Sequence, residues 1–379
     1  MTEFLKSSGG ALSGWAWQPA RSFGASPGHL APDDDDSGAD LRALLGYGVT
    51  RISDGDALSP AALAGRIVLL TTAHDRVGQD RAEGLRRGLY SLCDADIRPF
   101  CAATHRPYPL LELKRAREAG VSLGARHKRL SDALVDAGHM SFSAEGAAGA
   151  SASASQTCAG LASLLDRILS CQPSAVLVCS DRLAAVELLY AAHACYVGSH
   201  LLPLITLSSR MGFAPRGHAS FEGMLRAHES PLMGGRGWLQ LGLQRAANSA
   251  ADYERALEHR VSAVEFLHLL GVWRHILTGR EVSSLEHLHD HCDQMTHLQW
   301  DKARHGLHVA FSLDVLGAPF GCQLQDLGGV LTYLGRTGVC RVLHLISADW
   351  SNEDDPAGST FLPHLIYKLA LLREEYSES

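Results

Sequence analysis

The chain has 379 residues, 46% of them hydrophobic and 20% charged, proportions ordinary for a soluble globular protein. A net charge of -7 with a pI near 6.3 argues against nucleic acid as the main partner, because phosphate binding needs a basic surface to displace counterions. No apolar stretch reaches the roughly 18 residues of a membrane span, and the start of the chain lacks a basic segment followed by an apolar one, so neither an anchor nor a secretory signal is expected.

Residues 1–40, with the stretch "SPGHLAPDDDDSGAD", are rich in Gly, Pro and Asp and show no sustained period. They are expected to form a disordered arm, followed by a single α/β domain over 41–379. The first β-type run is "RIVLLTT" (66–72), followed by the helical pattern "AEGLRRGLYSL" (82–92). The small-residue segment "SFSAEGAAGASASASQ" (141–156) cannot build a core and is expected to be a flexible insertion. Helical "GLASLLDRILSC" (160–171), strand-like "SAVLVCS" (174–180) and helical "RLAAVELLYAAHACY" (182–196) come next. The runs "LLPLITLS" (201–208), "GWLQLGL" (237–243), "VSAVEF" (261–266), "LHVAFSL" (307–313) and "RVLHLIS" (341–347) follow, and "FLPHLIYKLALLREE" (361–375) closes the pattern as a helix.

Several of these strands are apolar on both faces, as in a parallel sheet covered by helices on both sides. A three-layer α/β/α fold with a mainly parallel, doubly wound sheet is expected, its ligand crevice beyond the carboxyl ends of the strands. Nine cysteines without a CxxC pair fit reduced thiols and a cytosolic location. Cys179 and Cys340, in apolar strand-like runs, are expected to be small buried hydrophobes.

The residues that follow each strand carry a resemblance. "LVCSDRLAAVELL" (177–189), "LITLSSRMGFAP" (204–215), "SFEGML" (220–225) and "HVAFSLDVLGAP" (308–319) match, in order and spacing, signature segments of the ureohydrolases: arginases, agmatinases and formiminoglutamases. In that family these segments read G-G-D-H-S, D-A-H-x-D, a histidine-glycine loop, and S-F-D-x-D-x-L-D-P. "GWLQLGLQ" (237–244), "GGVLTY" (328–333) and the segment 67–92 resemble further family segments, so the likeness spans about residues 65–372.

The resemblance implies an arginase-like fold, and for the family it implies two Mn²⁺ ions bridged by a hydroxide that attacks a guanidinium, amidine or formimino carbon. Carried over position by position, the six metal ligands fall on Arg182, Leu207, Ser209, Met211, Ser312 and Asp314, and only Asp314 keeps the family's residue. The aspartate before the first ligand is kept as Asp181, the third aspartate of the last segment is Gly317, and the substrate-loop histidine appears as Glu222. The late glutamate that grips the substrate falls near Ala348 or Asp349. A guanidinium has no lone pair for a metal, and apolar, thioether and hydroxyl groups do not suit manganese. No manganese cofactor is therefore expected.

In the vacated pocket, Arg182 could pair with Asp181, Glu222 and Asp314, one guanidinium replacing lost cationic charge. Alternatively Arg182 turns to solvent and Asp314 bonds to nearby backbone N–H groups. A second cluster, "LEHLHDHCDQMTH" (285–297), holds Glu286, His287, His289, His291, Cys292, Asp293 and His297. In a helix His287 and His291, or His289 and Asp293, share a face and could clamp Zn²⁺, but that spacing alone is weak evidence, and a solvated polar face is the expected reading. Ser180, Ser208, Ser209 and Ser312 end strands without a G-x-S-x-G elbow or a neighbouring histidine in sequence.

The functional expectation is a ureohydrolase-like pseudoenzyme that binds a small guanidino or amino-acid-like ligand or regulates a partner. The resemblance further implies a homo-oligomer, commonly a trimer. The alternatives are a C–N hydrolase with altered metal use, served by Asp181, Glu222 and Asp314, and a scaffold using the acidic arm and the His-rich segment.

Overall fold

The computed structural model describes residues 15–18, 44–52, 58–73, 76–101, 103–104, 106–121, 128–142, 154–180, 185–197, 202–211, 237–259, 261–267, 272–276, 278–283, 290, 306–316, 326–346 and 356–376. Among these, twelve strands form one sheet. Numbered within that sheet in chain order, β1 is Trp15–Gln18, β2 Thr50–Arg51, β3 Ile67–Ala73, β4 Leu134–Phe142, β5 Ala175–Ser180 and β6 Leu204–Leu207. They are followed by β7 Trp238–Leu243, β8 Ser262–Leu267, β9 Val272–His275, β10 Glu281–Val282, β11 Leu307–Ser312 and β12 Cys340–Ile346.

The spatial order is β1-β4-β3-β5-β12-β11-β6-β7-β8-β9-β10, with β2 pairing β4. Every pairing from β4 through β8 is parallel, and the antiparallel pairs β1–β4, β8–β9 and β9–β10 close the two edges. Among the described residues six longer helices pack on the sheet: α1 Arg76–Tyr90, α2 Ala154–Ser170, α3 Ala185–Val197, α4 Ala250–Glu258, α5 Gly328–Thr337 and α6 Pro356–Tyr376.

Strand alternation sends successive side chains to opposite faces. Leu69, Leu177, Leu343, Leu345, Phe311 and Leu207 join the core under α1, α5 and α6. Val68, Leu70, Val176, Val178 and Val342 meet α2 and α3 on the other side, where Leu204, Trp238 and Ala310 continue the layer toward α4. This is the three-layer architecture expected. α4 starts with a capping box, the Ser249 hydroxyl accepting from the Asp252 N–H while the Asp252 carboxylate accepts from the Ser249 N–H. α5 ends at Gly338 in the left-handed conformation.

Three boundaries differ from the sequence reading. Within the arm, Trp15–Gln18 pair with Phe142 to His139 as an edge strand, because the open side of β4 offers unpaired backbone groups to a β-favouring "WAWQ" segment. The small-residue insertion is shorter at both ends, since Ser141 and Phe142 belong to β4 and Ala154 opens α2. β4 itself is absent from the sequence reading, because Asp136 and Gly138 interrupt its apolar run.

The described helices include none long and apolar enough to cross a membrane. Cys179 and Cys340 are buried as expected, and burial pushes both thiols up to about 12, which leaves them neutral at ordinary pH.

Candidate functional site at the strand tips

Parallel register brings four carboxyl ends together. Ser180 of β5 lies beside Ile346 of β12, Ile346 lies beside Ser312 of β11, and Phe311 lies beside Leu207 of β6. The sequence-predicted positions Leu207, Ser209, Met211, Ser312 and Asp314 are thereby gathered at one pole of the sheet. Asp181, Arg182, Glu222, Gly317, Ala348 and Asp349 lie outside the described residues, as do Glu286, His287, His289, His291, Cys292, Asp293 and His297.

Beyond Leu207 the chain turns sharply and is held by β7 and the loop after it. The Ser208 N–H donates to the Leu241 carbonyl at 3.1 Å, and the Gln244 N–H to the Ser209 carbonyl at 3.0 Å. Asn248 staples the turn: its Nδ2 donates to the Ser209 carbonyl at 2.9 Å, and its Oδ1 accepts from the Met211 N–H at 2.7 Å. Gln240 Nε2 adds a bond to the Arg210 carbonyl at 2.8 Å. Gly242 makes the close approach possible with φ +88°, since a Cβ there would stand 2.4 Å from Val315 Cγ2.

This geometry fixes each side chain. Leu207 points into the core beside Leu241 and Phe311. Met211 is fully buried among Tyr190, Leu202, Leu204, Trp238 and Ile346. Asp314, in the 3-10 turn after β11, accepts through Oδ2 from Ser209 Oγ at 2.5 Å and Ser208 Oγ at 3.3 Å. Its other oxygen, Oδ1, is buried without a hydrogen-bond partner among the described residues. Among the described residues the carboxylate is thus held by two serine hydroxyls.

Among the described residues the strand-tip donors are one carboxylate, four hydroxyls (Ser180, Ser208, Ser209 and Ser312) and a thioether whose surroundings are apolar. They do not fit a pair of Mn²⁺ ions, which need several carboxylate or imidazole ligands. No group of three or more His, Cys, Asp or Glu side chains is placed to hold a metal ion among the described residues.

Two constellations were missed in sequence. Ser180 Oγ lies 2.5 Å from His344 Nε2, so this serine does have a histidine neighbour, 164 residues away in the chain. Both residues are 0% exposed, and His344 Nδ1 has no hydrogen-bond partner among the described residues. A nucleophile needs access to substrate, and its base needs an orienting acceptor, so the pair is a buried structural contact. His344 shares its layer with His308 and His193, whose rings stand 5.6 Å apart, and Tyr190 meets His308 edge-on at 5.5 Å. Burial pushes His344 down to about 3, and burial together with His193 and His344 holds His308 well below the usual histidine range.

The other missed group joins α1 to β4 and β3. Arg86 grips Asp136 through two bonds of 2.7 and 3.0 Å, donates to Thr71 Oγ1 at 2.7 Å and reaches the Gly138 carbonyl at 2.5 Å. The Tyr90 hydroxyl and the Gly138 N–H also donate to the Asp136 carboxylate. Burial alone would raise the Asp136 pKa, but the Arg86 cation and these bonds outweigh it and hold the carboxyl below its ordinary value. A signal existed: Arg86 interrupts the stripe Ala82, Leu85, Leu89, Tyr90, all buried on one face of α1.

No protein-family model matches the chain, and no curated protein matches it in sequence. Solved structures do match in fold. Formimidoylglutamase from Bacillus subtilis superposes with a TM-score of 0.62 at 13% identity, covering 91% of this chain and 96% of that one. Trypanosoma cruzi formiminoglutamase with Mn²⁺ gives 0.54 at 13% identity over 83% and 98% of the two chains. Proclavaminate amidinohydrolase from Streptomyces clavuligerus gives 0.50 at 15% identity over 84% and 94%. The arginase-like fold expected from the motifs is therefore the fold of this chain.

Proposed function

We propose that this protein is a ureohydrolase relative that has lost the binuclear manganese centre and acts without catalysis, as a ligand-binding or regulatory pseudoenzyme. The observation that carries the reading is the donor set at the tips of β6 and β11: buried Leu207, buried Met211, serine hydroxyls, and a single carboxylate, Asp314, already engaged by Ser208 and Ser209.

Magnitude supports it. Two dications about 3.5–4 Å apart, the spacing of two-metal sites, repel by roughly 15–20 kcal/mol at an effective dielectric of about 20. A family site offsets this with several anionic ligands, whereas among the described residues Asp314 alone supplies negative charge there, and an Arg182 cation at a ligand position would add to the repulsion. The unpartnered Asp314 Oδ1 is instead an acceptor for a guanidinium or ammonium group. Arg182, aligned with a lost metal ligand, is our candidate for that cation, with Asp181 and Glu222 as its other partners. A small guanidino or amino-acid-like molecule is the ligand class that would compete with it. A cytosolic homo-oligomer, a trimer by resemblance, completes the proposal.

The test combines metal analysis and turnover. Purified protein dialysed against excess manganese should retain no stoichiometric metal, and arginine, agmatine and formiminoglutamate should not be hydrolysed. Manganese-dependent turnover that disappears in Asp314→Ala would refute the proposal.

A further inference from the structure

The pole opposite the strand tips carries two arginines that join no ion pair among the described residues. Ser174 immediately precedes β5, Gly306 precedes β11, and Arg341 is the second residue of β12, so all three stand where parallel strands begin. Arg373, in the last turn of α6, reaches the same pole and donates from Nη2 to the Ser174 carbonyl at 3.2 Å. Its guanidinium lies against Gly338, where a Cβ would come within 1.4 Å of Nη1. Three residues later, Arg341 is pressed against Gly306, where a Cβ would come within 2.5 Å of the Arg341 Cβ. Two left-handed glycines, φ +62° and +64°, thus leave room for the two arginine side chains.

Arg373 donates to the Ser174 carbonyl and Arg341 hydrogen-bonds Tyr196, but three further donors are left over. Arg341 Nε, Arg373 Nε and Ser174 Oγ are all buried without a hydrogen-bond partner among the described residues. Neither guanidinium belongs to an ion pair among the described residues. The neighbouring carboxylate on α6, Glu374, is engaged by Lys128. Burial lowers the pKa of both arginines; Tyr196 counters it at Arg341, and at Arg373 Cys340 and Glu374 counter it in part while the Arg341 cation adds to it. Two partly buried cations that repel each other, neither in an ion pair among the described residues, are unfavourable, and an anion accepting from both relieves desolvation and repulsion together.

We propose that this pole binds a small oxyanion, a phosphate or carboxylate group, held by Arg341, Arg373 and the Ser174 hydroxyl. Tetrahedral or planar oxygens match guanidinium forks, which donate in pairs, and a serine hydroxyl supplies a further donor. The site is remote from the strand-tip crevice and does not depend on the function proposed for it.

Isothermal titration of the intact protein with inorganic phosphate and with acetate, each against sodium chloride of matched ionic strength, tests the proposal. Saturable binding of phosphate or of acetate supports it and tells which group the site takes. Arg341→Met and Arg373→Met should each weaken that binding at least about tenfold, equivalent to about 1.4 kcal/mol. Ser174→Ala, a change that leaves both stems in place, should weaken it by a smaller factor and serves if the arginine variants do not fold. Absence of saturable binding for both anions, or binding unchanged in every folded variant, overturns the proposal.

Discussion

Acidification should destabilise this fold through its buried histidines. His308 and His344 are 0% exposed on neighbouring strands, with His193 of α3 and Tyr190 against His308 and Ser180 against His344. Their folded-state pKa values lie below the unfolded value of about 6.5, His344 at about 3. The sign follows from proton counting: below about pH 6.5 the unfolded chain binds protons that the native state excludes, so stability falls as pH falls. The loss continues until the folded-state pKa is reached. Each such histidine removes about 1.36 kcal/mol per pH unit, or about 2 kcal/mol between pH 6.5 and 5. Two of them remove about 4 kcal/mol, a large fraction of a typical total of about 5–15 kcal/mol.

Urea unfolding at pH 7, 6 and 5 reads this directly, with His308→Leu and His344→Leu as comparators. Each variant should reduce the proton uptake on unfolding by about one between pH 6 and 5, whatever its stability at pH 7. The Asp136 carboxyl, lowered in the fold, contributes stability that is present above its unfolded value of about 3.9 and is lost only as pH falls below it through the folded-state value, so it does not confuse this window. Equal proton uptake in wild type and both variants would refute the reasoning.

The buried pair between α1 and β4 gives a second prediction. Arg86→Met or Asp136→Leu alone should cost about 3–5 kcal/mol in urea unfolding, because each leaves an uncompensated buried charge, while the double replacement should cost less than the sum of the two. Gly242→Ala should destabilise by roughly 1–3 kcal/mol, since φ +88° and the 2.4 Å approach to Val315 both oppose a Cβ. Adding Val315→Ala should make the combined loss smaller than additive in the same assay; strict additivity would show that the contact is not the cause.

Much of the fold was legible because it rests on local pattern. "SAVLVCS" and "RVLHLIS" are short apolar runs between helical stretches, and they became neighbouring parallel strands buried on both faces. β4 escaped because an aspartate within an apolar run reads as a break until its counter-ion is known, and that counter-ion lies 50 residues earlier, on α1. The hairpin of β9 and β10 and the edge strand β1 escaped because edge pairing needs only an available backbone neighbour, which leaves little trace in side-chain period.

At the candidate site, the sequence alone determined which chemical groups stand after each strand, and with them the proposal that manganese finds no set of ligands there. Only the tertiary structure decided what those groups touch. It turned Leu207 and Met211 into the core, set Ser208 and Ser209 on Asp314, and brought Ser180 to His344. The physical reason is distance along the chain: donor type is a property of one residue, whereas a hydrogen bond across more than a hundred residues exists only once parallel register has been set by the packing of whole strands.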